Sequence, residues 1–449
     1  MSGNKYSRIA VLALCVLMAC GPSKRAVKPT PPPVKSDIPK KQETTKLPEK
    51  VDTVARKREE AKKPEAKETK PRVEHPSNKT DSKPMERVSI LALIPFKSEQ
   101  LDTLDQKIPY SSLRFVQFYG GMKMALDEFN KSTGRHIEMK VFDTGEQDRT
   151  MEILKACETE LPDVVLGPYK IESLKQAADW ARRNKTILVS PWISSSTITE
   201  SNPYYIQAKA GLAAHYQLIH DHVRKNFPAE NIFIISKNKE ESKSHLFNPA
   251  DSAWPAIRED FISEDDLAKS AEPLLEKYFV AADPAVFILP MVSSRDENYI
   301  YHFLRRVSAE KKNHNVYVYG FSKWLELKTD ILEYINALNV RLSTSNFVEV
   351  DRSEVRSFRY RYFELYREFP GDDAMEGYDL TKYILESLLN QGIGFYQAEP
   401  QLSPQYLETR FQLGPVYQTP PATQKELNYY ENQYIRLVEI KSNKYRIID

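Results

Sequence analysis

Val88-Ser89-Ile90-Leu91-Ala92-Leu93-Ile94 is a nearly continuous apolar run, closed by Pro95. The run is shorter than an ordinary helix and has no polar alternation, so it reads as a strand buried on both faces of a parallel sheet. Downstream, Phe115, Tyr119, Met122, Leu126 and Phe129 recur at helical spacing within a segment from about Ser111 to Asn130, and Gly134 supplies a stop. Ile137–Phe142 is the next strand, ended by Asp143. A helix over Thr150–Glu160 leads to the strand Asp163–Leu166, broken by Gly167-Pro168. A helix over Ile171–Asn184 leads to the strand Thr186–Val189, ended by Ser190-Pro191. Strands alternating with helices of this length predict a parallel sheet with helices on both faces.

The pattern repeats further along. Helices are expected over 211–226, 265–279 and 297–311, and strands over 231–235, 285–289 and 315–319. Helices over 354–369 and 378–391 follow, and then a hairpin of Tyr434–Ile440 and Lys444–Ile448 turned by Ser442-Asn443. The fold class read from this order is α/β: two doubly wound, Rossmann-like lobes with a central cleft. Lobe one takes about 88–207 and 350–440, and lobe two about 208–349. Ligands of such sheets bind at the carboxyl ends of the strands.

The residues before the globule are of another kind. Lys5 and Arg8 precede an apolar stretch from Ile9 to Leu17, then Leu17-Met18-Ala19-Cys20. This is the order of a secretory signal, and the apolar stretch is shorter than the ~20 residues of a membrane-spanning helix. Its end resembles the lipobox of bacterial lipoproteins, which implies a signal over 1–20, acylation of Cys20 and attachment to a lipid bilayer. Gly21-Pro22 follows where Asp would otherwise direct retention, which resembles delivery to the outer membrane with the globule on the periplasmic side. Residues 21–86 hold 11 Pro and no Phe, Trp or Tyr. Such a segment cannot bury enough apolar surface to offset chain entropy, and it reads as a disordered tether. As a coil it spans about 45 Å. It carries 18 Lys/Arg against 11 Asp/Glu; with two more cations in the signal and +2 overall, residues 87–449 carry −7. A basic tether thus precedes an acidic globule. Cys157 is the one cysteine after Cys20, so no intramolecular disulfide is expected in the globule, and its helical spacing with Leu154 and Leu161 reads as a core thiol.

Several segments of the globule resemble the type I periplasmic binding proteins, which include the branched-chain amino-acid receptors of ABC importers. Gly121-Met122-Lys123-Met124-Ala125-Leu126-Asp127-Glu128-Phe129-Asn130 is similar to that family's first-helix pattern. Val164-Val165-Leu166-Gly167-Pro168 and Ile187-Leu188-Val189-Ser190-Pro191 are similar to its strand ends. Asn202-Pro203-Tyr204-Tyr205-Ile206 is similar to the segment before the crossing to lobe two, and Gly377-Tyr378-Asp379-Leu380 to a late helix start. The resemblance covers about 88–440 and implies two lobes joined by three crossing segments, with a cleft that closes on a ligand. The loop after the first Gly-Pro departs from it: Tyr169-Lys170-Ile171-Glu172-Ser173 lacks the hydroxyl-rich ligand signature. In this respect, and in its lipobox and long tether, the chain also resembles the lipoprotein activators of peptidoglycan synthases, a branch of the same fold.

Candidate ligand-binding residues sit at strand ends. In lobe one they are Tyr169, Lys170, Ser190, Trp192, Ser194, Ser195 and Ser196; in lobe two they are Lys237, Ser293, Ser294, Arg295, Ser322 and Trp324. Lys170 or Arg295 suits a carboxylate. The Ser194–Thr197 cluster suits either an anion or turn chemistry, and the two tryptophans suit either stacking on a ligand or lobe packing. No Gly-x-Ser-x-Gly, His-Glu-x-x-His or Gly-x-x-x-x-Gly-Lys motif occurs. The eight His form no metal pattern, and an acidic globule argues against nucleic acid. The expectation is a protein without catalysis, metal or cofactor. Its partner is a small polar, amino-acid-like solute bound for transport or sensing, or else a cell-envelope enzyme that it scaffolds or activates.

Overall fold

The computed structural model describes residues 83–101, 108–248, 254–327, 329–418, 426–442 and 444–448. The signal, Cys20 and nearly all of the tether lie outside these residues. The chain begins with β1 (Arg87–Ile94), α1 (Tyr110–Thr133), β2 (His136–Asp143), α2 (Thr150–Ala156), β3 (Val164–Leu166), α3 (Ile171–Asn184), β4 (Ile187–Ser190) and β5 (Tyr205–Gln207). It crosses to a second lobe of α4 (Leu212–Asn226), β6 (Ile232–Ser236), α5 (Ser244–Phe247), β7 (Arg258–Phe261), α6 (Glu264–Lys269), α7 (Glu276–Ala281), β8 (Ala285–Ile288), α8 (Glu297–Glu310), β9 (Val316–Phe321), α9 (Thr329–Ala337) and β10 (Asn339–Thr344). It returns for α10 (Ser353–Tyr366), α11 (Asp372–Gln391), β11 (Leu413–Tyr417) and β12 (Leu427–Asn432), and crosses once more for β13 (Arg436–Lys441) and β14 (Lys444–Ile447).

Each lobe is built on a seven-stranded sheet, with order β11-β12-β5-β4-β3-β1-β2 in lobe one and β14-β13-β10-β9-β8-β6-β7 in lobe two. The strands from β1 to β5 and from β6 to β10 are parallel to their neighbours, and β12 runs parallel to β5; β11, β13 and β14 pair antiparallel. The apolar run that opens the globule is explained by its two faces. Val88, Ile90, Ala92 and Ile94 join the cluster under α1 and α11, while Leu91 and Leu93 join the one under α2 and α3. The second lobe repeats this: Phe233 and Ile235 of β6 face one cluster, and Ile232 and Ile234 the other. Alternate side chains point to opposite faces, so a strand sandwiched between helix layers must be apolar at every position.

The α1–α11 pair packs closely because two glycines let the backbones approach. A methyl group at Gly121 would lie 1.8 Å from the Ala374 carbonyl oxygen, and one at Gly377 would lie 2.1 Å from that of Phe118. The resemblance drew on both glycines, and here both serve one helix crossing.

Three expectations change. Residues 436–441 pair with β10, so the third crossing lies near Gln433–Ile435 and the final hairpin completes lobe two rather than lobe one. The helix expected over 265–279 is two short helices, split at Ser270–Leu275 where Pro273 has no N–H to donate. The helix after Thr150 stops at Ala156, which leaves Cys157 half-buried and Leu161 42% exposed. His215 and His222 are half-buried on α4: His215 bonds Ser343 Oγ at 2.7 Å, and His222 bonds the Tyr319 hydroxyl at 2.9 Å.

Candidate functional site

The carboxyl ends of the lobe-one strands are filled by the chain's own side chains. Gly167 ends β3 with φ of +87°, and a Cβ there would lie 2.4 Å from the Leu93 carbonyl oxygen, so only glycine lets the chain turn here. The turn delivers Tyr169 against Phe115 and Trp192, with ring centroids 5.0 and 5.9 Å away. Trp192 packs in turn on Phe115 and Phe118 at 5.4 and 4.9 Å. Edge-to-face pairs of this kind add attraction to the area they bury. The Arg114 guanidinium lies 5.4 Å from the Phe115 ring centre and 5.7 Å from that of Tyr169. Trp192 Nε1 is buried and has no hydrogen-bond partner among the described residues.

The other lobe-one candidates have local work. Lys170 Nζ donates to the Glu146 carbonyl at 2.7 Å. Ser190, 1% exposed, donates to the Ile193 carbonyl and accepts from its N–H. Ser195 Oγ lies 2.9 Å from Thr197 Oγ1 and accepts the Thr197 N–H, which is turn chemistry. Ser194 is half-buried and Ser196 exposed. In lobe two, Trp324 is not at a cleft mouth. It is 1% exposed within the core, and its Nε1 donates to the Met291 carbonyl at 2.9 Å. An indole needs such an acceptor to be buried without cost.

The lobe-two strand ends are open. A hollow of about 690 Å³ is lined by Leu212, Ala213 and Tyr216 of α4, by Lys237, Glu241, Lys243 and Leu246 after β6, and by Pro290–Ser293, Arg295 and Asp296 after β8. Lys237 Nζ meets Asp296 Oδ1 at 2.5 Å, and the other Asp296 oxygen accepts the Ser293 N–H at 3.1 Å. Ser293 Oγ accepts the Arg295 N–H, which sets the loop ahead of α8. Burial, with help from Asp296, pushes the Tyr216 phenol up to about 12. Ser293, Arg295 and Lys237 were legible as strand-end residues. Lys243, Asp296 and Tyr216 were not: Lys243 sits in the run Lys237–Ser244, which reads as a solvated loop, and Tyr216 lies on a helix face.

Between the lobes run the crossing segments, pinned by lobe-one carboxylates. Lys209, on the first crossing, pairs with Glu376 of α11 at 3.0 Å. Glu431 of β12 accepts the Gly211 N–H at 3.2 Å and Gln207 Nε2 at 3.1 Å. On the second crossing, Asn346 Nδ2 donates to Glu408 Oε1 at 2.6 Å, and the Phe347 N–H donates to the Glu408 carbonyl. Asp379 accepts the N–H groups of Leu407 and Glu408, both at 2.9 Å. Burial pushes the Asp379 carboxyl up to about 7. Glu408 is raised well above the carboxylate range by burial first, then by the charges of Glu376 and Asp379. Just after the third crossing, Arg436 at the start of β13 reaches Gln405 at 2.7 Å and Glu349 of the second crossing at 3.4 Å.

Among the described residues, no helix is long and apolar enough to cross a membrane, and no group of three or more His, Cys, Asp or Glu could hold a metal. The two-lobe architecture is that of the type I periplasmic binding proteins. A structure from Rhodospirillum rubrum, assigned to branched-chain amino acid ABC transport, aligns over 81% of this chain and 99% of its own, with a TM-score of 0.55 and 14% identity. An ABC transporter substrate-binding protein from Desulfitobacterium hafniense aligns over 81% and 100%, with a TM-score of 0.50 and 14% identity. LpoA from Haemophilus influenzae aligns over 82% of this chain and 60% of its own, with a TM-score of 0.51 and 12% identity. At such identities the likeness is one of fold. No family model matches the sequence, and no curated protein matches it either.

Proposed function

We propose that this chain is a non-catalytic binding protein of the cell envelope, anchored to a bilayer through acylated Cys20 and facing the periplasm, with the outer membrane as its site. Its lobes close on a small polar solute, and closure reports to a transporter or sensor. The observation that supports this reading is the hollow at the lobe-two strand ends, lined by charged groups next to the first crossing segment. Its volume lies within the roughly 300–1,000 Å³ range of small-molecule sites. The test is thermal melting of the chain against amino acids, short peptides, nucleosides and muropeptides. A ligand at 100 times its dissociation constant stabilises by about 2.7 kcal/mol, which is an upshift of roughly a degree or more for a globule of this size. A flat response across the panel overturns the receptor reading. Anchoring is tested separately: replacing Cys20 with Ala moves the protein from the membrane fraction to the soluble one, and an unchanged distribution removes the anchor.

A second reading is a scaffold or activator of peptidoglycan enzymes that keeps the fold as a protein-binding module. The closed lobe-one strand ends support it, because Tyr169 and Trp192 occupy the surface that a solute would need there. Co-purification with a defined peptidoglycan synthase, together with a flat melting panel, would select it.

A further inference from the structure

We infer that the lobe-two hollow takes a small organic anion, a carboxylate on an apolar body, whose charge is held by Lys243 and Arg295. This rests on the receptor reading and names its ligand class.

The charges of the hollow divide into those already spent and those left over. Lys237 and Asp296 neutralise each other at 2.5 Å, with side chains only 17% and 14% exposed. The second oxygen of Asp296 is taken by the Ser293 N–H. Glu241 closes a turn with Asn238, whose Nδ2 donates to its carboxylate at 3.1 Å while Asn238 Oδ1 accepts the Glu241 N–H; a neutral amide leaves that carboxylate charged, so Lys237, Lys243 and Arg295 against Glu241 and Asp296 give the lining a net +1. The Lys243 backbone is likewise fixed, its N–H donating to Glu259 at 3.2 Å. Two cationic heads remain. Among the described residues, neither the Lys243 ammonium nor the Arg295 guanidinium has a hydrogen-bond or ion-pair acceptor, although both line the hollow. A guanidinium presents two parallel donors that match a carboxylate, and an ammonium beside it adds a compact charge.

The backbone adds to the same field. Leu212 and Ala213 open the fifteen-residue α4, and Arg295 and Asp296 immediately precede the fourteen-residue α8. Two helix N-termini therefore border the hollow, and both favour negative charge. The remaining lining is apolar: Leu212, Leu246, Pro290, Met291 and Val292. An inorganic ion would leave this surface against water, whereas an organic acid covers it.

The signs of the lining also bear on what is excluded. A zwitterionic amino acid brings an ammonium into a net-positive lining, where both Asp296 oxygens are bonded and Glu241 is the one carboxylate left to receive it. Beside Lys243 and Arg295 that ammonium is repelled. The hollow thus selects acids without an amino group, unlike the amino-acid-like solute expected from the sequence.

The test is calorimetric titration of the full chain at low salt with glutarate, phenylacetate, leucine and inorganic phosphate. Glutarate or phenylacetate should bind at least tenfold tighter than leucine or phosphate, and the affinity should fall with added salt. Arg295→Ala and Lys243→Ala should each weaken it at least tenfold, with Arg295→Lys in between and ligand-free melting unchanged. Equal binding of leucine, or tight binding that survives both alanine substitutions, overturns the inference and leaves the receptor reading standing. Phosphate binding as tight as that of the organic acids overturns the apolar-body assignment. No binding by either organic acid overturns the inference as well; the receptor reading falls only if the wider melting panel is also flat.

Discussion

The two lobes share one architecture and end their strands in opposite ways. In lobe one, the loops after β3 and β4 fold Tyr169 and Trp192 back onto Phe115 and Phe118, and Lys170, Ser190 and Ser195 find partners within their own neighbourhood. In lobe two, the loops after β6 and β8 stand apart around about 690 Å³ and leave the Lys243 and Arg295 heads without an acceptor among the described residues. The tryptophans make the contrast concrete. Trp324 of lobe two is a core residue with a satisfied indole, while Trp192 of lobe one is half-buried with an unsatisfied one. A doubly wound sheet fixes where a site can be, and the loop chemistry at each strand end decides whether one is there.

The largest expected effect comes from Trp324→Ala. It empties a core position and should cost about 3–5 kcal/mol, read as a fall in melting temperature or denaturant midpoint. A loss under about 1 kcal/mol would mean that the side chain belongs to the surface after all. Trp192→Ala should cost less, about 2 kcal/mol, because part of the ring is already in water. It would also open room at the lobe-one strand ends, so any solute binding gained by this variant would identify the aromatic cluster as a plug rather than a wall. A cost as large as that of Trp324→Ala would erase the contrast.

A third measurement addresses the seam between the lobes. The Glu408 carboxyl is raised in the fold, so the native state holds its proton more firmly than the unfolded chain does. The stability it contributes is full below the ordinary carboxylate range and is lost as pH rises through the raised value. Asp379, at about 7, acts in the same direction. Melting temperature should therefore decline between pH 5 and 8. Glu408→Gln, which keeps an oxygen for Asn346 and removes the titration, should flatten that decline; parallel curves would discount the cluster. The smallest effect belongs to Ser195→Ala, within about 0.5 kcal/mol and without consequence for ligand binding. A marked loss of binding would reopen lobe one as a site.

The part of the fold that was legible in the sequence is the part dictated by burial on both sides. The helix over Ile171–Asn184 was placed to the residue, because Leu174, Ala177, Ala178 and Ala181 bury one face. The runs at β1, β6 and β8 were plain for the reason given by their two core clusters. What escaped was polar or borrowed. The edge strand β7 reads Arg258-Glu259-Asp260-Phe261, and Glu259 is there to accept Ser236, Ser242 and Lys243 rather than to fill a core. In β10, Arg341 interrupts the apolar pattern because it pairs with Glu439 of β13, 98 residues away. The site was legible by position and not by content. The rule of strand ends found Ser293 and Arg295, but whether a hydroxyl is free or already bonded three residues on is a matter of loop geometry, which spacing does not encode.

The order in which strands enter the two sheets also sets a timetable. Gln207 of β5 meets Glu431 of β12 across 224 residues, and Val340 of β10 meets Ile440 of β13. Until residues 427–441 have left the ribosome, β5 and β10 both stand as bare edges, one in each lobe. Neither half of the molecule can therefore finish while the other waits. Instead of an early lobe and a late one, synthesis yields a chain whose two sheets are sealed within the same short interval.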